Sequence, residues 1–180
     1  MDHRAWGLDG RSLRALAALW DFCISWTIPF CTHAPEAQTC LSTLLLTSVF
    51  EKNFEMLNLH MKTGDTLELK GKISDDAEGF SINLGHSSSD LALHFNPRFN
   101  EPVIVCNSLC SNKWQTEYRD HHLPFSQGST VKLAIEMKAD KFEVKLPDGH
   151  DVEFPNRHCY NKVTYMSING GFRVTSFKLD

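Results

Sequence analysis

The chain has 180 residues, which fits one domain with an appended segment. Hydrophobic residues at 42% and charged residues at 22% permit a sizeable core, and a formal net charge of −4 argues against a nucleic-acid or anionic-membrane partner. No apolar run is long and uninterrupted enough to span a bilayer, so membrane insertion is not expected.

Residues 1–50 read as an N-terminal extension, either unstructured or partly helical. Arg4, Arg11 and Arg14 precede the run "LAALWDFCISWTIPFC", and Trp6, Trp20 and Trp26 crowd the same region. A basic start before an apolar run is the pattern of a signal peptide within residues 1–30. Asp21 breaks that run and no small-x-small cleavage site follows, so the signal reading is disfavoured. Ser12 to Ser25 also has the spacing of an amphipathic helix. The six cysteines, Cys23, Cys31, Cys40, Cys106, Cys110 and Cys159, are too sparse for a disulfide scaffold and are read as free thiols of a reducing compartment.

From Glu51 to Asp180 the pattern becomes regular. Eleven short alternating runs succeed one another: "FEMLNLH", "TLELKGKI", "GFSINLG", "LALHFN", "VIVCN", "KWQTEYR", "TVKLAIEM", "KFEVKLP", "HDVEFP", "VTYMSIN" and "FRVTSFKL". Turn residues such as Thr63-Gly64-Asp65, Gln127-Gly128-Ser129 and Gly170-Gly171 separate them. Many short strands at this spacing predict an all-β domain, two antiparallel sheets packed face to face. "KFEVKLPDGHDVEF", with Asp-Gly at its centre, is the clearest hairpin.

Three neighbouring runs carry unusual polar residues. In "LALHFNPRFN" strict alternation puts Leu91, Leu93, Phe95 and Phe99 toward a core, and Ala92, His94, Asn96 and Arg98 toward solvent. The next run ends in Asn107, and the third supplies Trp114, Glu117 and Arg119. Arg98 and Arg119 are forked donors that would hold Glu117 ionised and oriented. Such a patch suits a neutral ligand with several hydroxyls, and the Trp114 indole offers a face for the C–H side of a sugar ring. Trp114 and Glu117 are three apart, so one strand cannot put both on one face. Trp114 therefore belongs to a loop or bulge, for which "SLCSNK", Ser108 to Lys113, has the composition.

These residues resemble a known signature. His94-Phe95-Asn96-Pro97-Arg98, Val105-x-Asn107 and Trp114-x-x-Glu117-x-Arg119 match the carbohydrate-recognition motif of the galectin family. "KLPDGHDVEFPNR" and "GGFRVTSFKL" are similar to later strands of its single-domain prototype members. The resemblance implies a jelly-roll β-sandwich that binds β-galactosides of the lactose and N-acetyllactosamine type, with no enzymatic activity, cofactor or metal. It implies that His94, Asn96 and Arg98 hold the galactose 4-hydroxyl, that Asn107 and Glu117 hold the 6-hydroxyl, that Trp114 stacks on the ring, and that Arg98, Glu117 and Arg119 reach the second sugar. It further implies a homodimer through terminal strands, here Glu55–His60 and Phe172–Leu179, and cytoplasmic synthesis with non-classical secretion; two shallow sites on one such dimer would cross-link glycoproteins by effective concentration. Two positions depart from the family: Pro102 stands where some members have a second histidine, and Gln115 where many have glycine.

Three other readings compete. A glycoside hydrolase needs two positioned acids, and Asp120 is the nearest partner for Glu117. A metal site could draw on Cys106, Cys110, His121 and His122. The main alternative is a protein-interaction sandwich without sugar binding.

Overall fold

The computed structural model describes residues 53–180, so the proposed helix and signal segment, Cys23, Cys31, Cys40 and the expected boundary at residue 51 lie outside the described residues. Among these residues, twelve strands form two antiparallel sheets. The seven-stranded sheet contains β1 (Asn53–Lys62), β3 (Phe80–Ser87), β4 (Asp90–Arg98), β5 (Val103–Cys110), β6 (Lys113–Trp114), β7 (Tyr118–Asp120) and β11 (Lys162–Gly170). Its main path runs β1-β11-β3-β4-β5-β6, and β7 also pairs with β5. The five-stranded sheet runs β10 (Asp151–Pro155), β9 (Lys141–Lys145), β8 (Thr130–Met137), β2 (Thr66–Ile73) and β12 (Phe172–Leu179). Among the described residues, no helix is long and apolar enough to cross a membrane.

The core follows from alternation. Leu67, Leu69 and Ile73 of β2 are buried while Lys70 and Lys72 are exposed, and Val131, Leu133, Ile135 and Met137 repeat the pattern on β8. The facing sheet contributes Phe80, Ile82, Leu84, Leu93, Phe95, Ile104, Met166 and Ile168. Phe80 stacks on Phe172 across the sandwich at 4.9 Å between ring centroids, and Phe125 meets Phe80 edge-on at 5.5 Å. Fully burying a side chain of this size contributes about 1.5–3 kcal/mol.

The predicted β9–β10 hairpin is present, with Val144 opposite Val152 and Gly149 at φ 91° in its turn. Three expectations need correction. "KWQTEYR" is not one strand: it splits into β6 and β7, because Gln115 to Glu117 leave the ladder. "SLCSNK" is not a loop: Ser108 to Cys110 complete β5, and Ser111 and Asn112, both at positive φ (48° and 64°), make a two-residue hairpin turn into β6. Alternation also fails at the start of β4. The register of β4 shifts against both neighbours near Leu91, so Ala92 enters the main core. Leu91 instead joins a small separate cluster with Leu109 and Tyr165.

Candidate functional site

The ladder fixes which polar residues are neighbours. β4 pairs with β5 so that His94 lies opposite Asn107, Asn96 opposite Val105 and Arg98 opposite Val103. β7 pairs on the far side of β5, with Arg119 opposite Val105. β6 pairs there too, with Trp114 opposite Leu109. One sheet face thus gathers the expected residues, from three segments of chain.

His94 anchors the patch. Asn83 donates its amide hydrogen to Ser167 Oγ at 2.9 Å, which leaves Asn83 Oδ1 as an acceptor facing His94 Nδ1 at 2.6 Å. The imidazole therefore carries its proton on Nδ1, and Nε2 is left as an acceptor. Burial, aided by the nearby Arg98 charge, lowers its pKa from 6.5 to about 4, so the ring is neutral at physiological pH. The ring centroid lies 4.8 Å from that of Trp114, whose indole is 53% exposed on the same face.

Asn96 is equally constrained. Its Nδ2 donates to the Phe80 carbonyl at 2.7 Å, and its Oδ1 accepts from Arg98 Nε at 2.9 Å. Arg98 is then directed toward Glu117, at 3.8 Å, and Glu101, at 3.5 Å. Arg119 completes the ring by donating Nε to Glu117 at 2.9 Å and Nη1 to Glu101 at 2.5 Å. The hydrogen bond from Arg119 holds the Glu101 carboxyl below its ordinary range. Two arginines and two carboxylates so hold one another in fixed orientation at the edge of the patch. Asn107 is buried beside them: its Nδ2 donates to the Gln115 carbonyl at 3.0 Å and its Oδ1 accepts from Ser108 N at 2.8 Å.

All seven expected residues thus share one neighbourhood, and Trp114 reaches it from its own short strand. Sequence reasoning missed Asn83 and Glu101. Glu101 had a legible signal, an acid three residues after Arg98 and directly before Pro102. Asn83 had none, because its role depends on the β3–β4 register that sets it opposite His94. A shallow depression lined by Gly79, Phe80, Ser81, His94, Asn96, Asn169 and Gly170 continues the patch across β3 and β11.

The residues of the competing readings point elsewhere. Asp120 accepts from His150 Nε2 at 2.9 Å and from the His122 backbone at 2.8 Å, and His122 also bonds Asp148. Cys106 is buried in the core, where burial pushes its thiol pKa up, while Cys110 is exposed at the β5–β6 turn. Among the described residues, no group of three or more His, Cys, Asp or Glu is placed to hold a metal ion.

Residues 53–179 match the family model described as galactoside-binding lectin. The chain is 52% identical over 125 residues to human galectin-2, covering 69% of this chain and 95% of that protein. The crystal structure of chicken galectin 2 superposes with a TM-score of 0.70 at 67% identity, covering 71% of this chain and 98% of the other. A homodimeric agglutinin from chicken liver superposes with a TM-score of 0.68 at 39% identity, covering 71% and 99%.

Proposed function

Because the chain belongs to the galactoside-binding lectin family, we propose that the outer face of its seven-stranded sheet holds the terminal galactose of lactose- and N-acetyllactosamine-type glycans. One observation carries this reading: an exposed indole stands beside a set of polar groups whose orientations are already fixed. His94 Nε2 offers an acceptor, and Arg98 offers donors not used by Asn96. An axial 4-hydroxyl meets both, whereas the equatorial hydroxyl of the glucose epimer leaves them unpaired. Asn107 and Glu117 flank Trp114 where a 6-hydroxyl would hang over the ring, and Glu117 with Arg119 extends the patch to the next sugar.

The role is binding rather than catalysis. Glu117 accepts from Arg119 Nε at 2.9 Å and faces Arg98 at 3.8 Å, which orients it as an acceptor for ligand hydroxyls, and the second acid that glycoside hydrolysis needs, Asp120, is engaged by His150 and the His122 backbone instead. A shallow site of this kind buries few atoms and binds modestly, so avidity comes from pairing sites. Among the described residues β1 and β12 each end the strand order of their sheet, the position at which a second copy would pair, and the homodimeric chicken-liver relative supports that assembly. A dimer would cross-link glycoconjugates outside the cell after cytosolic synthesis and export without a signal peptide.

Calorimetric titration tests the reading. Lactose should release heat with a saturable isotherm, and maltose should not. A folded sample that is silent with lactose would exclude the galactoside reading.

A further inference from the structure

Arg157, on the segment that leaves β10 and leads to β11, reaches the Asn107 and Thr116 side of the polar patch. That segment is anchored by Asn156, whose backbone N donates to the Asp140 carbonyl at 2.8 Å. Its side-chain Nδ2 donates to the Tyr160 carbonyl at 2.7 Å, and its Oδ1 accepts from Tyr160 N at 3.2 Å. From this base the Arg157 guanidinium lies over the Phe154 ring, 4.6 Å from the centroid. Its Nη1 donates to the Thr116 carbonyl at 2.7 Å, with longer contacts to Ser108 Oγ at 3.3 Å and Asn107 Oδ1 at 3.4 Å.

We propose that Arg157 is a positioning residue of the carbohydrate site, holding the Gln115–Glu117 segment and the Asn107 amide in the orientation that sugar needs. Thr116 lies between Trp114 and Glu117 in a stretch outside the ladder, so its carbonyl is a handle on both. A flipped Asn107 amide would set donors against Ser108 N and against the guanidinium. With the amide as it stands, one Nδ2 hydrogen serves the Gln115 carbonyl and the other is available to ligand. Thr116 is exposed, so without Arg157 its carbonyl would hydrate at little cost to folding. The loss falls on order in the segment, and hence on binding.

The ligand-facing part of this inference rests on the galactoside reading; the ordering part does not. The test uses the full chain with Arg157→Met, Arg157→Lys and, as control, Lys132→Ala. Amide hydrogen exchange without sugar should quicken about fivefold or more over Gln115 to Tyr118 in Arg157→Met, the range expected for losing one charged hydrogen bond. It should recover in part in Arg157→Lys and stay unchanged in the control. Calorimetry with lactose and its 6′-deoxy analogue should show about a tenfold loss for lactose in Arg157→Met, with a smaller loss for the deoxy sugar. Unchanged exchange in a folded variant overturns the proposal, as does an equal loss for both sugars. Wild-type protein that binds neither sugar sinks the galactoside reading instead, and the exchange data then decide the role of Arg157 alone. If Arg157→Met does not fold, Arg157→Lys carries the same comparison.

Discussion

His94 presents Nδ1 to Asn83 Oδ1 at 2.6 Å, and Asn83 is itself pinned by its bond to Ser167 at 2.9 Å. This relay across β4, β3 and β11 decides which imidazole nitrogen is a donor before any ligand arrives. It turns His94 from a residue that could offer either polarity into a fixed acceptor at Nε2.

The first prediction concerns pH. Only neutral His94 can accept a hydroxyl hydrogen at Nε2, and its pKa is lowered to about 4. Lactose affinity should therefore stay flat from pH 8 to about 5 and fall as pH approaches 4. Stability follows the same group. Unfolded, the histidine takes up a proton near 6.5; folded, it resists until about 4. Its contribution is complete above 6.5 and is lost as pH falls through that window, because there the unfolded state binds more protons. Urea denaturation at pH 7 and pH 5 should show a larger loss for wild type than for His94→Gln. Affinity that halves near pH 6.5 would contradict the argument.

The second prediction separates the two halves of the site. Trp114 is 53% exposed, so Trp114→Ala should leave the urea midpoint nearly unchanged while abolishing retention on immobilised lactose. Arg98→Ala should do the same by a different route. It removes the donor beside Asn96 and leaves Glu101 and Glu117 sharing only Arg119. Lys132→Ala, which removes an exposed partner of Glu68 on the five-stranded sheet, should bind as wild type does. Retention of either site variant at wild-type strength would remove that residue from the site.

Much of this was legible because a strand displays its burial pattern every second residue. The runs carrying Leu67, Leu69 and Ile73, or Val131, Leu133 and Ile135, announce both strand and facing. The polar patch was legible for the same reason, since His94, Asn96 and Arg98 keep one parity. What alternation could not show were the places where the ladder breaks its own period. The shift at Leu91 exchanges the facings of Leu91 and Ala92, and the departure at Gln115 to Glu117 divides one run into two strands. Partners distant in sequence, such as Asn83 to His94 and Arg157 to Thr116, depend on register and crossing rather than on local pattern.

The third prediction concerns Glu101, which bonds both site arginines from the turn beside Pro102. Glu101→Gln keeps the shape and removes the charge. Arg98 and Arg119 then lose one of their two carboxylates, and the part of the site facing the second sugar loosens. Lactose affinity should fall by about two- to fivefold, while methyl β-galactoside, which lacks that second sugar, should bind nearly as before. Parallel calorimetry with the two ligands measures the difference; equal losses would place Glu101 among residues that act on the whole face.

The fourth prediction turns on two glycines with different reasons to be glycine. Gly85 sits where β3 and β4 slip register, and a Cβ there would lie 2.1 Å from the Asp90 carbonyl oxygen and 2.7 Å from Leu91 Cα. Both are backbone atoms, so the clash can be relieved only by moving β4 itself. Gly64, in the β1–β2 turn at φ +99°, has nothing within 4 Å of an added Cβ. Gly64→Ala should therefore cost only conformational strain, about 1 kcal/mol in urea denaturation. Gly85→Ala should cost about 2–4 kcal/mol, the range for overpacking that forces a backbone shift. It should also weaken lactose binding in the folded fraction, because the strand that must move carries His94, Asn96 and Arg98. Equal costs for the two variants would mean that the register slip at Gly85 adapts to a methyl group, and that the site does not depend on how closely β3 and β4 approach there.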